Sequence, residues 1–370
     1  KRQMVHMLEN IPQGEAKMPH SINGKGNTSC RSIYWWTSGF FPGILWYINE
    51  YTGDKAFESF AKKWTEKLEP VKTFKGNHDI GFMMYCSFGN AYRLTQNEKY
   101  KDILIQSAYS LATRFNPQVG TIKSWDSWRS WENKHVFKYP VIIDNMMNLE
   151  LLFWASKATG DPSFRNIAIS HAEKTMKYQI RKDGSSYHLA CYDPETGNFI
   201  KGETSQGYSN ESTWSRGQGW GIYGFTLCYR ETKDPRFLKT AQRMADYYIN
   251  HPNLPSDKIP WWDFDTHRPG FIPGKFSKTN KYIQNYRDAS AASVTASALL
   301  ELSSYVKDDK KKIYTETALQ ILTSLSSPEY RAEEGKNGNF ILKHSTGAIP
   351  HGSEVDVPLI YADYYFLEAL

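Results

Sequence analysis

"NEYTGDKAFESFAKKW" (Asn49–Trp64) decides the fold. Thr52-Gly53-Asp54 breaks two segments of helical character. Glycine ends a helix readily, and an aspartate after it accepts from the free N–H groups of the next one. Beyond the break, Phe57, Phe60, Ala61 and Trp64 return at the spacing of one helix face. The stretch therefore reads as the turn of a helical hairpin.

The pattern recurs. "YRLTQNEKYKDILIQSA" turns around Thr95, and "SKATGDPSFRNIAISHAEKTM" turns at Thr159-Gly160-Asp161. "YRETKDPRFLKTAQRMADYY" turns at Thr232-Lys233-Asp234, and "SYVKDDKKKIYTETALQIL" gives a copy near Asp308. Pro162 and Pro235 fall in the first helical turn, where proline is tolerated. Five hairpins follow, spaced by roughly 43 to 75 residues, with the excess in loops. The C-terminal "PLIYADYYFLEAL" completes a sixth with an early helix. Six hairpins in a ring predict an all-α (α/α)6 barrel forming one domain over residues 1–370. An open α-solenoid is the alternative. Aromatic, glycine-rich loops favour the closed toroid, with a cleft at one end.

Composition narrows the ligand. Aromatic residues make 15% of the chain, with 12 Trp and 24 Tyr. Flat rings cover the apolar faces of sugars while their polar tips bond hydroxyls; a Trp-rich core accounts for any single Trp equally well. The net charge of +6 comes without a dense basic block, since Lys310-Lys311-Lys312 is a short solvated run. No nucleic-acid partner is expected. Cys30, Cys86, Cys191 and Cys228 form no CxxC pair, so they read as buried thiols rather than zinc or redox ligands. No apolar run is long enough for a membrane span. HExxH, GxSxG and P-loop patterns are all missing, which removes zincin, serine-hydrolase and P-loop nucleotide-binding classes.

Two acids stand out. Asp144 interrupts "YPVIIDNMMNLELLFWA" between Ile142-Ile143 and Met146-Met147, with Asn145 and Asn148 near enough in sequence to support it. A bare buried carboxylate is costly, so it is paired, hydrogen-bonded or functional. Asp79 in "HDIGF" opens a second helix, where a cap role explains it as well as a functional one. Two carboxylates on separate helix starts facing one cavity would form an acid/base pair. In "STWSRGQGWGIYGF", Arg216 fits a ligand carboxylate or a structural acid. Gly217, Gly219 and Gly221 beside it call for close backbone approach. His188 and Gln206 are weak signals alone.

These stretches, with "WTSGFFPGILWYINEYTGD" and "DVPLIYADYYFLEAL", resemble the unsaturated glucuronyl hydrolases, glycoside hydrolase family 88, in order and approximate spacing over nearly the whole chain. The resemblance implies an (α/α)6 enzyme that hydrates the C4=C5 double bond of a 4,5-unsaturated uronate at the non-reducing end of lyase-made oligosaccharides. It implies Asp144 as general acid/base and Asp79 as a second essential acid. It further implies His78, His188, Gln206 and Arg216 as polar lining, and Trp36, Trp214 and Trp220 as stacking rings. One of Trp125, Trp128 or Trp131 is expected to add a ring. Ser345, His351 and Ser353 are expected near the uronate or a sulfate, with Lys343 and His351 leaning toward an anionic substituent. No cofactor or metal is implied. The partner is a small anionic oligosaccharide, and the chain is expected as a monomer or weak oligomer. A periplasmic location is expected from a start at Lys1 rather than Met and from the family's work beside lyases, with the cytoplasm as alternative. An unsaturated rhamnogalacturonyl hydrolase (family 105) and a non-catalytic carbohydrate-binding protein are the competing functions; only the last would do without the acid at 144.

Overall fold

The hairpin turns form as their sequences dictate. The computed structural model describes residues 1–11, 17–282 and 285–370. Gly53, Gln96, Gly160 and Lys233 end their helices in the left-handed conformation. The next residue but one in each case begins another helix, and the side chains of Asp54, Asn97, Asp161 and Asp234 accept from its backbone N–H groups. The fifth turn departs from this pattern. Lys307 is the residue before the helix there, and Asp308 lies inside the first turn without capping it.

Six helical units line the inside of the ring. They are α2 (Phe40–Thr52), the run α4 (Ile80–Met84) to α5 (Asn90–Thr95), α7 (Asn145–Thr159), α9 (Ser215–Thr232), α11 (Ala289–Ser303) and α13 (Ile360–Ala369). A π-turn at Tyr85–Gly89 joins α4 to α5. Each unit packs on the next, and α13 packs back on α2, so the ring closes as expected from the C-terminal sequence. Outside them lie α3 (Lys55–Glu66), α6 (Glu98–Ala112), α8 (Pro162–Tyr178), α10 (Pro235–Asn250) and α12 (Asp308–Ser326). Helix α1 (Arg2–Asn10) buries Met4 and Met7 and is tied by Gln3 to the carbonyls of Lys336 and Phe340. Inner helices α9 and α11 are buried over most of their length, whereas α3 and α10 bury one face. The glycines of α9 serve this packing. A Cβ at Gly219 would lie 2.7 Å from Val294, and one at Gly221 would lie 2.2 Å from Met244. What approaches that helix is its neighbours, not a ligand.

The long loops carry short strands that helical periodicity does not announce. β1 (Lys17–Ile22) pairs with β2 (Thr28–Ser32), β3 (Phe115–Asn116) with β4 (Thr121–Ile122), and β5 (Trp128–Arg129) with β6 (Val136–Phe137). β7 (Tyr139–Ile142), β8 (Leu189–Tyr192) and β9 (Phe199–Glu203) form a three-stranded antiparallel sheet. The apolar run around Asp144 is thus a buried strand running into a buried helix. Both need apolar residues, which is why the run looks uniform.

Candidate active site

Loops at the N-terminal ends of the inner helices enclose a cleft of about 500 Å³. Its floor carries two carboxylates, Asp79 before α4 and Asp144 before α7. Both occupy cap positions and neither side chain caps. Their charges are therefore left for the cleft.

The sheet places Asp144. Ile142 of β7 pairs with Leu189 of β8, and the Ile143 N–H donates to the His188 carbonyl at 2.9 Å. Asp144 and His188 leave that strand pair side by side, with His188 Nε2 3.7 Å from Asp144 Oδ1. His188 Nδ1 accepts from the backbone N–H groups of Ser205 (3.0 Å) and Gln206 (3.1 Å), so the ring proton sits on Nε2 and faces the acid. The second acid is arranged alike. His78 Nε2 lies 3.2 Å from Asp79 Oδ1, and Asn148 Nδ2 donates to His78 Nδ1 at 3.1 Å. The Asn148 amide is itself oriented, because its Oδ1 accepts from the Phe82 N–H at 2.9 Å. Asn148 thus serves Asp79 rather than Asp144, and Asn145 donates to the Ile122 carbonyl. Among the described residues, Asp144 Oδ1, His78 Nε2 and His188 Nε2 are buried and make no hydrogen bond of good geometry.

Burial sets the electrostatics. Removal from water pushes Asp144 up to about 7, against the charge of Arg216 and the indole N–H of Trp220. Burial pushes Asp79 up to about 8, and the charge of Asp144 adds to the rise while Arg114 opposes it. Burial holds both histidines well below their ordinary range, so each is neutral. The floor can store and move a proton near neutral pH.

Aromatic rings form the walls. Trp36 lines the cleft with its back on Tyr361 and Phe82, and Trp125 and Trp128 line the other side. Trp128 is fixed by donation to buried Glu203 at 3.0 Å. Trp131 stands behind it, edge-on to Trp128 and His351, and donates to the Ser205 carbonyl. Gln206, His351 and Ser353 reach the cleft.

Several expected lining residues do not. Trp220 is fully buried in the core against Phe82 and Tyr365, so it is not a stacking ring of the cleft. Trp214 is buried with its ring 4.5 Å from His188, behind the cleft. Arg216 takes its structural alternative. It pairs with Asp288 at 3.0 Å and donates to the carbonyls of Thr346 and Gly347. His78 and His188 sit behind the acids they orient. Ser345 is buried away from the lining, and Lys343 donates to the Pro328 carbonyl. Among the described residues, no Lys or Arg lines the cleft.

Other lining residues escaped sequence reasoning. Trp35 and Ser205 adjoin residues already singled out, and Asn77 lies two before Asp79, whose N–H its side chain accepts at 2.9 Å. Glu354 is a third carboxylate of the wall, accepting from His20 Nε2 at 2.7 Å. Burial would raise it, but that hydrogen bond and the charges of His20, Arg216 and Arg31 hold it below the usual range. No local pattern marks it, because its partner lies 334 positions away. Among the described residues, no group of three or more His, Cys, Asp or Glu side chains is placed to hold a metal ion. No helix there is long and apolar enough to cross a membrane.

Comparison with known proteins meets this geometry. Residues 9–229 match the model of Glycosyl Hydrolase Family 88. An unsaturated glucuronyl hydrolase of Formosa agariphila is 46% identical over 336 residues, covering 90% of this chain and 79% of the relative. One from Bacillus sp. strain GL1 is 34% identical over 98% of this chain and 92% of the relative. The crystal structure of an unsaturated glucuronyl hydrolase specific for heparin superposes with a TM-score of 0.90 at 46% identity, over 100% of this chain and 92% of that one.

Proposed function

Because the chain belongs to glycoside hydrolase family 88, we propose that it releases 4,5-unsaturated uronic acid from the non-reducing end of lyase-generated glycosaminoglycan oligosaccharides. The observation that carries this is the pair of buried acids, Asp79 and Asp144, uncapped at two helix starts and open to one aromatic-walled cleft.

The chemistry follows from what these side chains can do. Asp144 in its protonated form delivers a proton to C4 of the enol-ether C4=C5 bond. Positive charge then develops at C5 and the ring oxygen. The carboxylate so formed takes a proton from water as that water adds to C5. The resulting hemiketal opens, and the bond between the uronate and its partner sugar is lost. Attack is not at the anomeric carbon, so the separation rule for retaining and inverting carboxylates does not apply. Asp79, with its higher proton affinity, keeps its own proton near neutral pH and hydrogen-bonds the substrate. Neutral His78 and His188 present N–H groups to the acids without adding a cation that would strip their protons. Trp36, Trp125 and Trp128 hold the sugar rings.

The test uses unsaturated disaccharides from heparin, chondroitin and hyaluronan, with heparin first because a solved relative is specific for it. Loss of the ultraviolet absorbance of the conjugated alkene is expected with the wild-type chain and not with Asp144→Asn. Equal loss with that variant would remove Asp144 from the mechanism. No loss with any disaccharide would overturn the substrate class.

A further inference from the structure

Asp263 is fully buried, and no Lys, Arg or His forms an ion pair with it among the described residues. Keeping such a carboxylate is costly, so its partners define its purpose. Oδ2 accepts from the Tyr208 N–H at 2.8 Å and the Ser212 hydroxyl at 2.7 Å, and Oδ1 accepts from the Asp265 N–H at 2.9 Å. Tyr208 and Ser212 belong to the loop that follows β9. Within that loop the Gly207 N–H donates to Thr204 Oγ1 and the Thr204 N–H donates to Asn210 Oδ1. Between these fixed points lie Ser205 and Gln206, the two residues whose N–H groups converge on His188 Nδ1.

We infer that Asp263 is a positioning residue for the proton-transfer step. By anchoring the 204–212 loop it holds the Ser205 and Gln206 amides on His188, and so keeps the His188 proton on Nε2, facing Asp144. This rests on the reading of Asp144 as the general acid. Asp263 ties two points of the loop, Tyr208 and Ser212, and the path from Asp263 to Asp144 runs through hydrogen bonds of 2.7 to 3.1 Å until the last step. Were the amides to move, Nδ1 would lose its donors and the ring could carry its proton on the wrong nitrogen.

The experiment compares wild type with Asp263→Asn and Ser212→Ala, using protein labelled with 15N in the histidine rings and His188→Gln to assign the resonance. Wild type is expected to show His188 protonated at Nε2 alone. Each variant is expected to show a fraction protonated at Nδ1, with kcat lowered roughly ten- to hundred-fold and KM changed much less. Ser212→Ala removes one donor and keeps the carboxylate, so it carries the test if Asp263→Asn does not fold. A folded variant with the wild-type His188 signature would overturn the inference, whatever its activity. The ring measurement needs no substrate, so it stands apart from the substrate assay. Wild-type protein inactive on every unsaturated disaccharide would defeat the general-acid reading while leaving the Asp263–His188 linkage to be judged by the resonance.

Discussion

The toroid has two mouths, and the larger cavity lies at the one without the two uncapped aspartates. Where the inner helices end, a space of about 720 Å³ is lined by Glu50, Glu150, Glu301 and Glu368. Where they begin, the cleft of about 500 Å³ holds Asp79, Asp144 and Glu354. Phe40, Phe82, Trp220, Tyr361 and Tyr365 fill the ring between them. Burial pushes Glu368 up to about 7, as it does Asp144. A raised proton affinity therefore does not distinguish the mouths.

Partners do. Glu368 accepts from the hydroxyls of Tyr47, Tyr223 and Ser297. Glu150 and Glu301 both bind Arg230, and Glu50 binds Arg93 through two hydrogen bonds. Arginine suits that end, because the carbonyl termini of the helices are negative there. Asp363 and Asp263 are also raised to about 7, and their oxygens are taken by backbone or hydroxyl donors. Asp144 alone among these has a buried oxygen with no partner facing a cavity.

The largest effect should fall on that acid. Asp144→Asn is expected to lower kcat by at least about 10³-fold, in line with loss of a general acid. It should leave the fold intact. Its stability follows from the sign of the shift. The folded value lies above the unfolded one near 4, so the unfolded chain holds fewer protons between those values. The contribution of Asp144 to stability is then fully present below about pH 4 and is lost as pH rises through about 7. Removing the charge should thus raise stability at pH 8 by about 2 kcal/mol, measured by urea unfolding. A variant that melts lower at pH 8 would mean the carboxylate is better solvated than its burial indicates.

Trp220→Ala comes next, with an expected stability loss of about 3–5 kcal/mol because a fully buried indole leaves a cavity. Trp220→Phe should fold with a smaller loss, because a second ring refills most of that cavity. Wild-type kcat should itself fall as pH rises through about 7, since Asp144 must carry the proton it delivers. A pH profile flat from 6 to 8.5 would refute that assignment. At the far mouth, Arg230→Ala should cost about 1–2 kcal/mol, reduced from the fully buried case because Arg230 is 31% exposed. It should leave kcat and KM unchanged; a fall in kcat would show that the two mouths are coupled. Glu368→Gln should have the smallest effect at pH 6, where the acid already holds its proton: within about 0.5 kcal/mol and silent in the assay.

The hairpins were legible because each turn is local: a helix end, a cap and a returning apolar face lie within about 16 residues. The two acids were legible because a charge in an apolar run stands out whatever the fold. The roles of Arg216, Trp214 and Trp220 were not, since a side chain in an aromatic, glycine-rich helix looks the same whether it faces a ligand or a neighbouring helix. Asp288 settles Arg216, and it is 72 positions away.

The sequence by itself determined a series of helical hairpins and placed carboxylates at two helix starts. Those features depend on short-range spacing and on the cost of burying charge. Only the tertiary structure decided which acids are satisfied and which are not. That depends on donors from distant segments: the amides of Ser205 and Gln206 on His188, Asn148 on His78, and His20 on Glu354. A hydrogen bond is made or lost within a fraction of an ångström, and no spacing along the chain encodes that distance.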